Sequence, residues 1–204
     1  MNALARLPPH AAGQRIGLFG GSFNPPHAAH RTVSLLALKR LGLDRVWWLV
    51  SPGNPLKDTH GLPPLARRMA DARALARHPR IEVTDIEAQI GTRYTIDLVR
   101  FLRNRCPRVH FVWVMGVDNF LNFHHWRAWR AMFALVPLAV VDRGATKLGA
   151  LAAPAARAFA ESRIPESKAR LLPNRTPPAW VFLHGAKSPL SSTALRNKQI
   201  RTGG

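Results

Sequence analysis

The chain has 204 residues, of which 47% are hydrophobic, which is enough for a buried core and excludes a wholly disordered chain. Lysine and arginine total 30 against 11 acidic residues, a formal net charge of +19 that favours anionic ligands. The cations are scattered, without the basic tail typical of nucleic-acid binding, and no apolar run approaches the roughly 20 residues that span a bilayer. Cys106 is the only cysteine, which excludes a disulfide framework and indicates a reducing compartment, so we expect a cytoplasmic protein.

Apolar runs of strand length recur along the chain and are nearly continuous, as in strands buried on both faces of a parallel sheet. They lie at 15–20, 45–51, 81–85, 109–115, 137–142 and 180–183. Segments with helical spacing separate them, at 29–41, 65–77, 94–105 and 147–160. This alternation predicts a single domain over 1–204 built on a doubly wound, mostly parallel α/β sheet, with a short helical region at the C-terminal end.

Two segments fall outside this alternation. Residues 1–14 precede the first strand and lack the apolar segment of a secretory signal, so we expect a flexible leader. Residues 143–178 are rich in alanine, proline and arginine, and we expect an irregular segment there apart from the helix named above. Cys106 has no histidine near it in the sequence and is expected to be structural.

The segment GLFGGSFNPPHAAH, residues 17–30, joins the first predicted strand to the first predicted helix. Ligands of open parallel sheets bind beyond the carboxyl ends of the strands, so this junction is a candidate site. Gly20 and Gly21 let the main chain approach a ligand closely. His27 and His30 fall in the first turn of the helix, where free N–H groups and the positive end of the helix dipole bind anions. There the two imidazoles can donate hydrogen bonds to phosphate oxygens as charge develops on them.

The segment matches neither of the common glycine-rich phosphate-binding motifs, because it lacks both the GxxxxGK[ST] and the GxGxxG spacing. Two histidines three residues apart can also share a zinc ion, with His124 and His125 as further candidates. No third ligand lies beside the first pair in the sequence, so we predict no metal ligands.

The residues GGSFNPPHAAH resemble the GxFxPxHxGH signature of the HxGH nucleotidyltransferase superfamily. The second histidine of that signature stabilises the transition state at the α-phosphate, which makes His30 the main catalytic residue and His27 its phosphate-binding partner. The sequence departs from the signature at Asn24, where the family often has Asp, and at Ala29, which replaces a glycine and leaves less room for backbone approach. The resemblance implies a Rossmann-like nucleotidyltransferase fold and an ATP-binding loop that contains Gly20, Gly21, Ser22, Phe23, His27 and His30.

A second segment, SPLSSTALR at 188–196, resembles the C-terminal ISSTxxR motif of the same superfamily. Its hydroxyl groups suit the N-cap and first turn of a helix, where they can bind phosphate together with the backbone N–H groups. The arginine lies one turn further on and can reach the same anion. The resemblance therefore adds four ATP-binding residues, Ser191, Ser192, Thr193 and Arg196.

Segments in the middle of the chain resemble bacterial nicotinate-nucleotide adenylyltransferases, namely GVDNFLNFHHWRAWRAM at 116–132, RYTIDLV at 93–99 and NPLK at 54–57. The resemblance implies that Trp126 stacks on the nicotinate ring and that the backbone of Tyr94 and Thr95 holds the ring carboxylate. It also places Asp118 near the ATP ribose. An indole face suits a flat, cationic pyridinium ring, and backbone N–H groups at a helix start suit a carboxylate.

Further mononucleotide contacts are expected from Asn54 and Lys57 in the NPLK loop. Arg143 directly follows the strand 137–142 and is expected to add positive charge at the same edge. Trp126 and Trp129 are spaced as on one helix face, and we expect Trp129 to lie in the core.

The resemblance implies that the chain transfers the adenylyl group of ATP to nicotinate mononucleotide, with Mg²⁺ carried by the ATP. The attacking phosphate is already an anion at neutral pH, so catalysis requires positioning and charge neutralisation rather than a general base. The sequence leaves other acceptors open, such as nicotinamide mononucleotide or phosphopantetheine. A basic α/β protein that binds nucleic acid is the remaining alternative, but it leaves the two histidines unexplained; we expect neither nucleic acid nor a membrane as a partner.

Overall fold

The computed structural model describes residues 5–53, 61–142 and 147–185. The strands in these residues are β1 Arg15–Gly21, β2 Arg45–Val50, β3 Ile81–Thr84, β4 His110–Gly116, β5 Leu138–Asp142, β6 Arg163–Ile164 and β7 Trp180–His184. The α-helices are α1 Ala28–Arg40, α2 Leu65–Ala76, α3 Ile86–Gln89, α4 Thr95–Arg105, α5 Val117–Leu121, α6 Trp129–Leu135, α7 Lys147–Ala150 and α8 Pro154–Ala158. In the described part of the chain, no helix combines the length and apolar character needed to cross a membrane.

The strands form one sheet in the order β3-β2-β1-β4-β5-β7-β6, and every neighbouring pair is parallel. Alternate residues face opposite sides of this sheet, and apolar clusters cover both sides. Ile16 and Leu18 belong to one cluster, whereas Phe19 belongs to the other. Trp47 and Trp48 divide in the same way, and neither is exposed to solvent. Burial on both faces explains the nearly continuous apolar strands and confirms the predicted doubly wound α/β fold.

β1 lies inside the sheet, where it pairs with β2 on one side and β4 on the other. The chain adds β2 and β3 outward from β1, then crosses back and starts the second half of the sheet with β4. The strand order reverses at this point, and open α/β sheets bind their ligands beyond the carboxyl ends of the strands at such a reversal. The segments 17–30 and 116–132 contain the ends of these two strands, so the sheet brings both to one edge.

The segment 147–160, predicted as one helix, forms two short helices, α7 and α8. Pro154 is the first residue of α8. Since proline has no backbone N–H and a fixed φ, it can begin a helix but cannot continue one. Further along, the stretch expected to be irregular contains β6, of two residues, and a 3-10 helix at Glu166–Asn174. A strand of two residues is too short to show any periodicity.

Residues 5–14, which belong to the expected flexible leader, contact the domain at several points. Ala5 is buried in the core, and the backbone N–H of Arg6 donates to Oε1 of Gln89 at 2.7 Å. The backbone N–H of Gly13 donates to the carbonyl of Arg108, also at 2.7 Å. These partners are distant in sequence, so a pattern local to the first residues does not indicate them. Residues 1–4 lie outside the described part.

Cys106 also has a partner that its sequence neighbourhood does not indicate. Its Sγ lies 3.4 Å from Nε2 of His10, which is 96 residues away in the chain. Burial raises the pKa of the Cys106 thiol above its ordinary value, so the thiol stays protonated and can donate to the imidazole. This contact attaches the N-terminal segment to the end of α4.

Glu87 is a carboxyl group of α3 that is only 4% exposed, just beyond the end of β3. Desolvation by burial raises its pKa from 4.5 to about 7. Between these two pH values the folded protein holds a proton that the unfolded chain has lost. The free energy of unfolding therefore falls as the pH rises through this window.

Glu87→Gln removes this titration while keeping the size of the side chain. We expect the free energy of unfolding of the variant, relative to the wild type, to rise by roughly 3 kcal/mol across the window. Urea denaturation below pH 4.5 and above pH 7 measures the change. Glu161→Gln, at an exposed glutamate, is the control and should follow the wild type at both pH values. If the free energy of unfolding depends on pH equally in the wild type and in Glu87→Gln, the pKa of Glu87 is not raised as stated.

Candidate active site

The carboxyl end of β1 lies close against β4 because Gly20 has no side chain. A Cβ at this position would lie 2.7 Å from Cη2 of Trp113 on β4, a separation that real Cβ atoms do not tolerate. A Cβ at Gly21 would lie 3.4 Å from the Phe23 ring, which is near ordinary van der Waals contact. Of the two glycines in the loop, Gly20 is therefore the one that packing requires.

The His30 side chain has a defined orientation at the start of α1. The backbone N–H of His27, which is the N-cap residue, donates to Nδ1 of His30 at 3.1 Å. Because Nδ1 accepts this hydrogen bond, the neutral imidazole carries its proton on Nε2. The Nδ1 atom also lies 3.3 Å from the His27 carbonyl, to which an imidazolium can donate instead. The two imidazoles are adjacent, with ring centroids 3.9 Å apart.

Buried side chains of α1 and β2 support the first turn of α1. The His30 ring packs on Phe23 with centroids 4.8 Å apart, and Phe23 stacks on Trp48 at 5.0 Å. Trp48 donates its indole N–H to Oγ of Ser34 at 2.7 Å, and Ser34 donates to the His30 carbonyl at 2.9 Å. Trp48 and Ser34 are fully buried, so these hydrogen bonds do not compete with water.

Phe23 has the backbone conformation that turns the loop from β1 toward α1. Its φ of 47° lies in the left-handed region, which is uncommon for a residue with a side chain. The ring is only 1% exposed, and its stacking on Trp48 holds this conformation. Loop geometry and aromatic packing thus act together to place His30.

A second group of candidate residues surrounds the start of α4. The Oγ1 of Thr92 accepts a hydrogen bond from the backbone N–H of Tyr94 at 3.2 Å, which fixes the turn before Thr95. The Arg127 guanidinium lies over the Tyr94 ring, 4.5 Å from its centroid. This contact brings the turn that contains Trp126 beside the start of α4.

Trp126 and Trp129 do not share a helix, contrary to the expectation from their spacing. Trp126 has an extended backbone between the 3-10 helix Phe123–His125 and α6, and Ala128 has a left-handed φ of 52°. Trp126 is half-buried and lies edge-on to Trp113, with centroids 6.2 Å apart. Trp129 contacts the rings of Phe123 and Phe159 and is also half-buried rather than fully inside the core.

The sequence left open a zinc site that combines His27 and His30 with His124 and His125. Among the residues that the structure describes, no three or more His, Cys, Asp or Glu side chains lie close enough together to hold a metal ion. His124 and His125 lie in the 3-10 helix after α5, with ring centroids 3.9 Å apart.

Comparison with known proteins gives one consistent result. The cytidylyltransferase-like family model matches residues 18–198. A protein of a Bradyrhizobium species described as "probable nicotinate-nucleotide adenylyltransferase" is 60% identical over 183 residues, which cover 90% of this chain and 95% of the relative. Proteins with the same description from Methylorubrum extorquens and Brucella abortus are 58% and 49% identical, over 90% and 91% of this chain and 100% and 96% of theirs. The chain belongs to the nicotinate-nucleotide adenylyltransferase family.

The fold is also that of a solved structure described as "Plasmodium falciparum nicotinic acid mononucleotide adenylyltransferase complexed with NaAD". The superposition has a TM-score of 0.66 and covers 90% of this chain and 83% of the other. The two sequences are only 18% identical, so this likeness concerns the fold alone. It confirms the expected Rossmann-like nucleotidyltransferase fold.

The predicted site residues of this adenylyltransferase fall into two groups at the carboxyl edge of the sheet. Gly20 and Gly21 end β1, Ser22 and Phe23 follow in the loop, and His27 and His30 are the N-cap and a first-turn residue of α1. Asp118 lies in the first turn of α5, directly after β4. Tyr94, Thr95 and Trp126 form the second group around the start of α4. Ala29, which replaces the glycine of the superfamily signature, is only 1% exposed.

Seven predicted site residues lie outside the described residues: Asn54, Lys57, Arg143, Ser191, Ser192, Thr193 and Arg196. The last described residue before each group is Gly53, Asp142 or Gly185. All three follow or end strands at the carboxyl edge, and the backbone N–H of Gly185 donates to the carbonyl of Asp142 at 3.1 Å.

Sequence reasoning missed two buried polar residues near the loop. Ser34 interrupts the apolar stripe of α1 four residues after His30, and Arg68 occupies the apolar face of α2 beside Met69 and Ala72. A polar side chain on the apolar face of a helix was the available signal, because such a group is costly to bury without a partner. Its partners lie on other elements and cannot be identified from the sequence.

Proposed function

We propose that the protein transfers the adenylyl group of ATP to nicotinate mononucleotide, forming nicotinate adenine dinucleotide and pyrophosphate. The observation that carries this proposal is the fixed His30 imidazole at the start of α1, beside the reversal of strand order. The relatives with 49–60% identity carry the name of this activity.

In the proposed reaction, a phosphate oxygen of the mononucleotide attacks the α-phosphorus of ATP. The bond from that phosphorus to the bridging oxygen breaks, and pyrophosphate leaves with the electron pair. The nucleophile is an anion at neutral pH, so the barrier comes from the approach of two negatively charged groups. His30 donates from Nε2 to a phosphate oxygen as charge shifts, and His27 and the N–H groups of α1 bind the same chain of phosphates.

The remaining ATP contacts follow from the position of the loop. In this proposal Gly20, Gly21, Ser22 and Phe23 supply the main chain that approaches the nucleotide. Asp118 accepts a hydrogen bond from the ribose. The resemblance of the segment 188–196 to the superfamily motif assigns four more residues to the phosphate site: Ser191, Ser192, Thr193 and Arg196. ATP enters as its magnesium complex, since Mg²⁺ keeps most of its waters and needs few protein ligands.

The mononucleotide site is proposed around the turn at Trp126. The indole face stacks on the pyridinium ring, and the backbone N–H groups at Tyr94 and Thr95 bind its carboxylate. Asn54, Lys57 and Arg143 add polar and positive groups for the ribose phosphate. We place the reaction in the cytoplasm, where a single unpaired thiol such as Cys106 stays reduced.

Release of pyrophosphate from ATP tests the function directly. Purified protein is assayed with nicotinate mononucleotide, nicotinamide mononucleotide, phosphopantetheine or flavin mononucleotide, each with and without Mg²⁺. We expect turnover that requires Mg²⁺ and is fastest with nicotinate mononucleotide, because backbone N–H groups suit a ring carboxylate better than an amide. Equal turnover with all four acceptors, or none with either pyridine mononucleotide, would contradict the proposal.

His30→Asn separates the structural role of this histidine from its catalytic one. The Oδ1 of asparagine can replace Nδ1 as the acceptor for the His27 N–H, so the melting temperature should stay close to that of the wild type. The donor at Nε2 is lost, and kcat should fall by about 100- to 1,000-fold. His110→Asn, at an exposed histidine on the opposite edge of the sheet, is the matched control and should keep full turnover. Near-normal kcat in His30→Asn would remove His30 from the mechanism.

Trp126→Ala tests the proposed platform for the pyridine ring. Loss of the indole should raise the KM for nicotinate mononucleotide by roughly tenfold or more and change the KM for ATP little. Trp129→Ala is the comparison, because that side chain contacts Phe123 and Phe159 and should mainly lower the melting temperature. If Trp126→Ala weakens both substrates equally, Trp126 has a packing role instead.

A further inference from the structure

Arg68 is a buried arginine, and its hydrogen-bond partners within the described part of the chain are backbone carbonyls. Its residue is only 2% exposed, on the same face of α2 as Met69, Ala72 and Ala76. Burial lowers the pKa of the guanidinium, but the pKa of an arginine starts far above neutral pH, so the group stays charged. A charge placed among apolar side chains is retained only where it makes good hydrogen bonds.

The guanidinium joins three separate stretches of chain. Its Nη1 donates to the carbonyl of Ser22 at 2.8 Å and to that of Ser51 at 2.7 Å. Its Nη2 lies 3.3 Å from the carbonyl of Pro52, and its Nε donates to the carbonyl of Pro63 at 3.0 Å. One planar group therefore contacts the loop after β1, the loop after β2 and the chain that enters α2.

Both loops carry proposed substrate contacts. Ser22 lies in the proposed ATP-binding loop, and Asn54 and Lys57 come soon after Pro52. The backbone N–H of Ser51 also donates to the carbonyl of Gly21 at 3.0 Å, so the two loops already touch. Arg68, on α2, holds the orientation of the carbonyl groups of Ser22, Ser51 and Pro52 where the two loops meet.

A hydrogen bond that holds the orientation of a carbonyl group also holds the orientation of the N–H group of the next residue, because both belong to one planar peptide. In a trans peptide the C=O and N–H bonds point in opposite directions. The carbonyl of Ser22 points at Arg68, so the N–H of Phe23 points away from α2, and the same holds for Pro52 and the N–H of Gly53. N–H groups fixed in this way are suitable donors for anionic ligands.

We propose that Arg68 is a positioning residue for adenylyl transfer, which holds the loop after β1 and the loop after β2 so that the two substrates meet in line. This inference rests on the proposed function. A hydrophobic side chain of similar volume can pack as well as a buried cation and is often no less stabilising. Core stability alone therefore does not account for an arginine at this position.

The test compares Arg68 with its neighbour Arg67, which lies on the same helix but is 72% exposed and pairs with Asp71. Arg68→Lys and Arg68→Ala are assayed beside Arg67→Lys and Arg67→Ala, with kcat expressed per folded molecule and measured well below each melting temperature. Lysine keeps the charge, but its nitrogen ends one bond short of Nη1 and it has no counterpart to the Nε and Nη2 donors that contact the carbonyls of Pro63 and Pro52. We expect kcat to fall by on the order of 100-fold in the Arg68 variants, and to stay at the wild-type value in the Arg67 variants.

Guanidinium ion supplies a readout that a purely structural residue would not change. Added at millimolar concentration to folded Arg68→Ala, it should restore part of kcat, whereas ammonium should not, and Arg67→Ala should not respond. Full kcat per folded molecule in Arg68→Lys would overturn the proposal. A reduced kcat in Arg68→Ala that guanidinium does not restore would do the same. An inactive wild-type enzyme would instead contradict the proposed function itself.

Discussion

The hydrogen bond from the His27 backbone N–H to Nδ1 of His30 is the interaction on which the rest of the site depends. Because Nδ1 accepts this bond, the proton of the neutral imidazole lies on Nε2. The bond closes within residues 27–30, and the short connection from β1 places this first turn of α1 at the carboxyl edge of the sheet. Gly20 permits the close approach to Trp113, and the left-handed Phe23 makes the turn. The backbone conformation of this turn therefore also determines which imidazole nitrogen accepts a hydrogen bond.

α1 is held at both ends, which keeps this turn in place. At its start, Ser34 connects the His30 carbonyl to the indole of Trp48 on β2. At its end, Arg40 forms an ion pair with Glu166 at 2.6 Å, and the same carboxylate contacts Nδ1 of His184 at 2.6 Å. Partial burial opposes ionisation of Glu166, but the hydrogen bonds from His184 and the charge of Arg40 outweigh it and lower the pKa. This network ties α1 to β7, the strand that precedes the residues resembling ISSTxxR.

The sequence was most informative where a property is local and periodic. Continuous apolar runs predicted six of the seven described strands, and parallel topology then placed the loop at Gly20 and the turn at Asp118 on one edge. Spacing failed at Trp126, because the extended backbone there and the left-handed Ala128 interrupt the helix that three-residue spacing suggests. The contact between His10 and Cys106 joins residues 96 positions apart and has no signal in either segment. Ser34 and Arg68 carried a partial signal, since a polar group on an apolar helix face needs a partner that the sequence does not name.

Several polar side chains around the site bind the main chain of the loops or of the helix turns that follow them. His30 accepts from the N–H of His27, Ser34 donates to a carbonyl in the first turn of α1, and Thr92 accepts from the N–H of Tyr94. Arg68 does the same for the carbonyls of two loops at once. A reaction between two phosphate anions needs donors in fixed positions rather than proton transfer, and backbone N–H groups supply donors without adding a titratable group. The net charge of +19 attracts such anions over long distances. The short hydrogen bonds orient the backbone donors that we propose bind them.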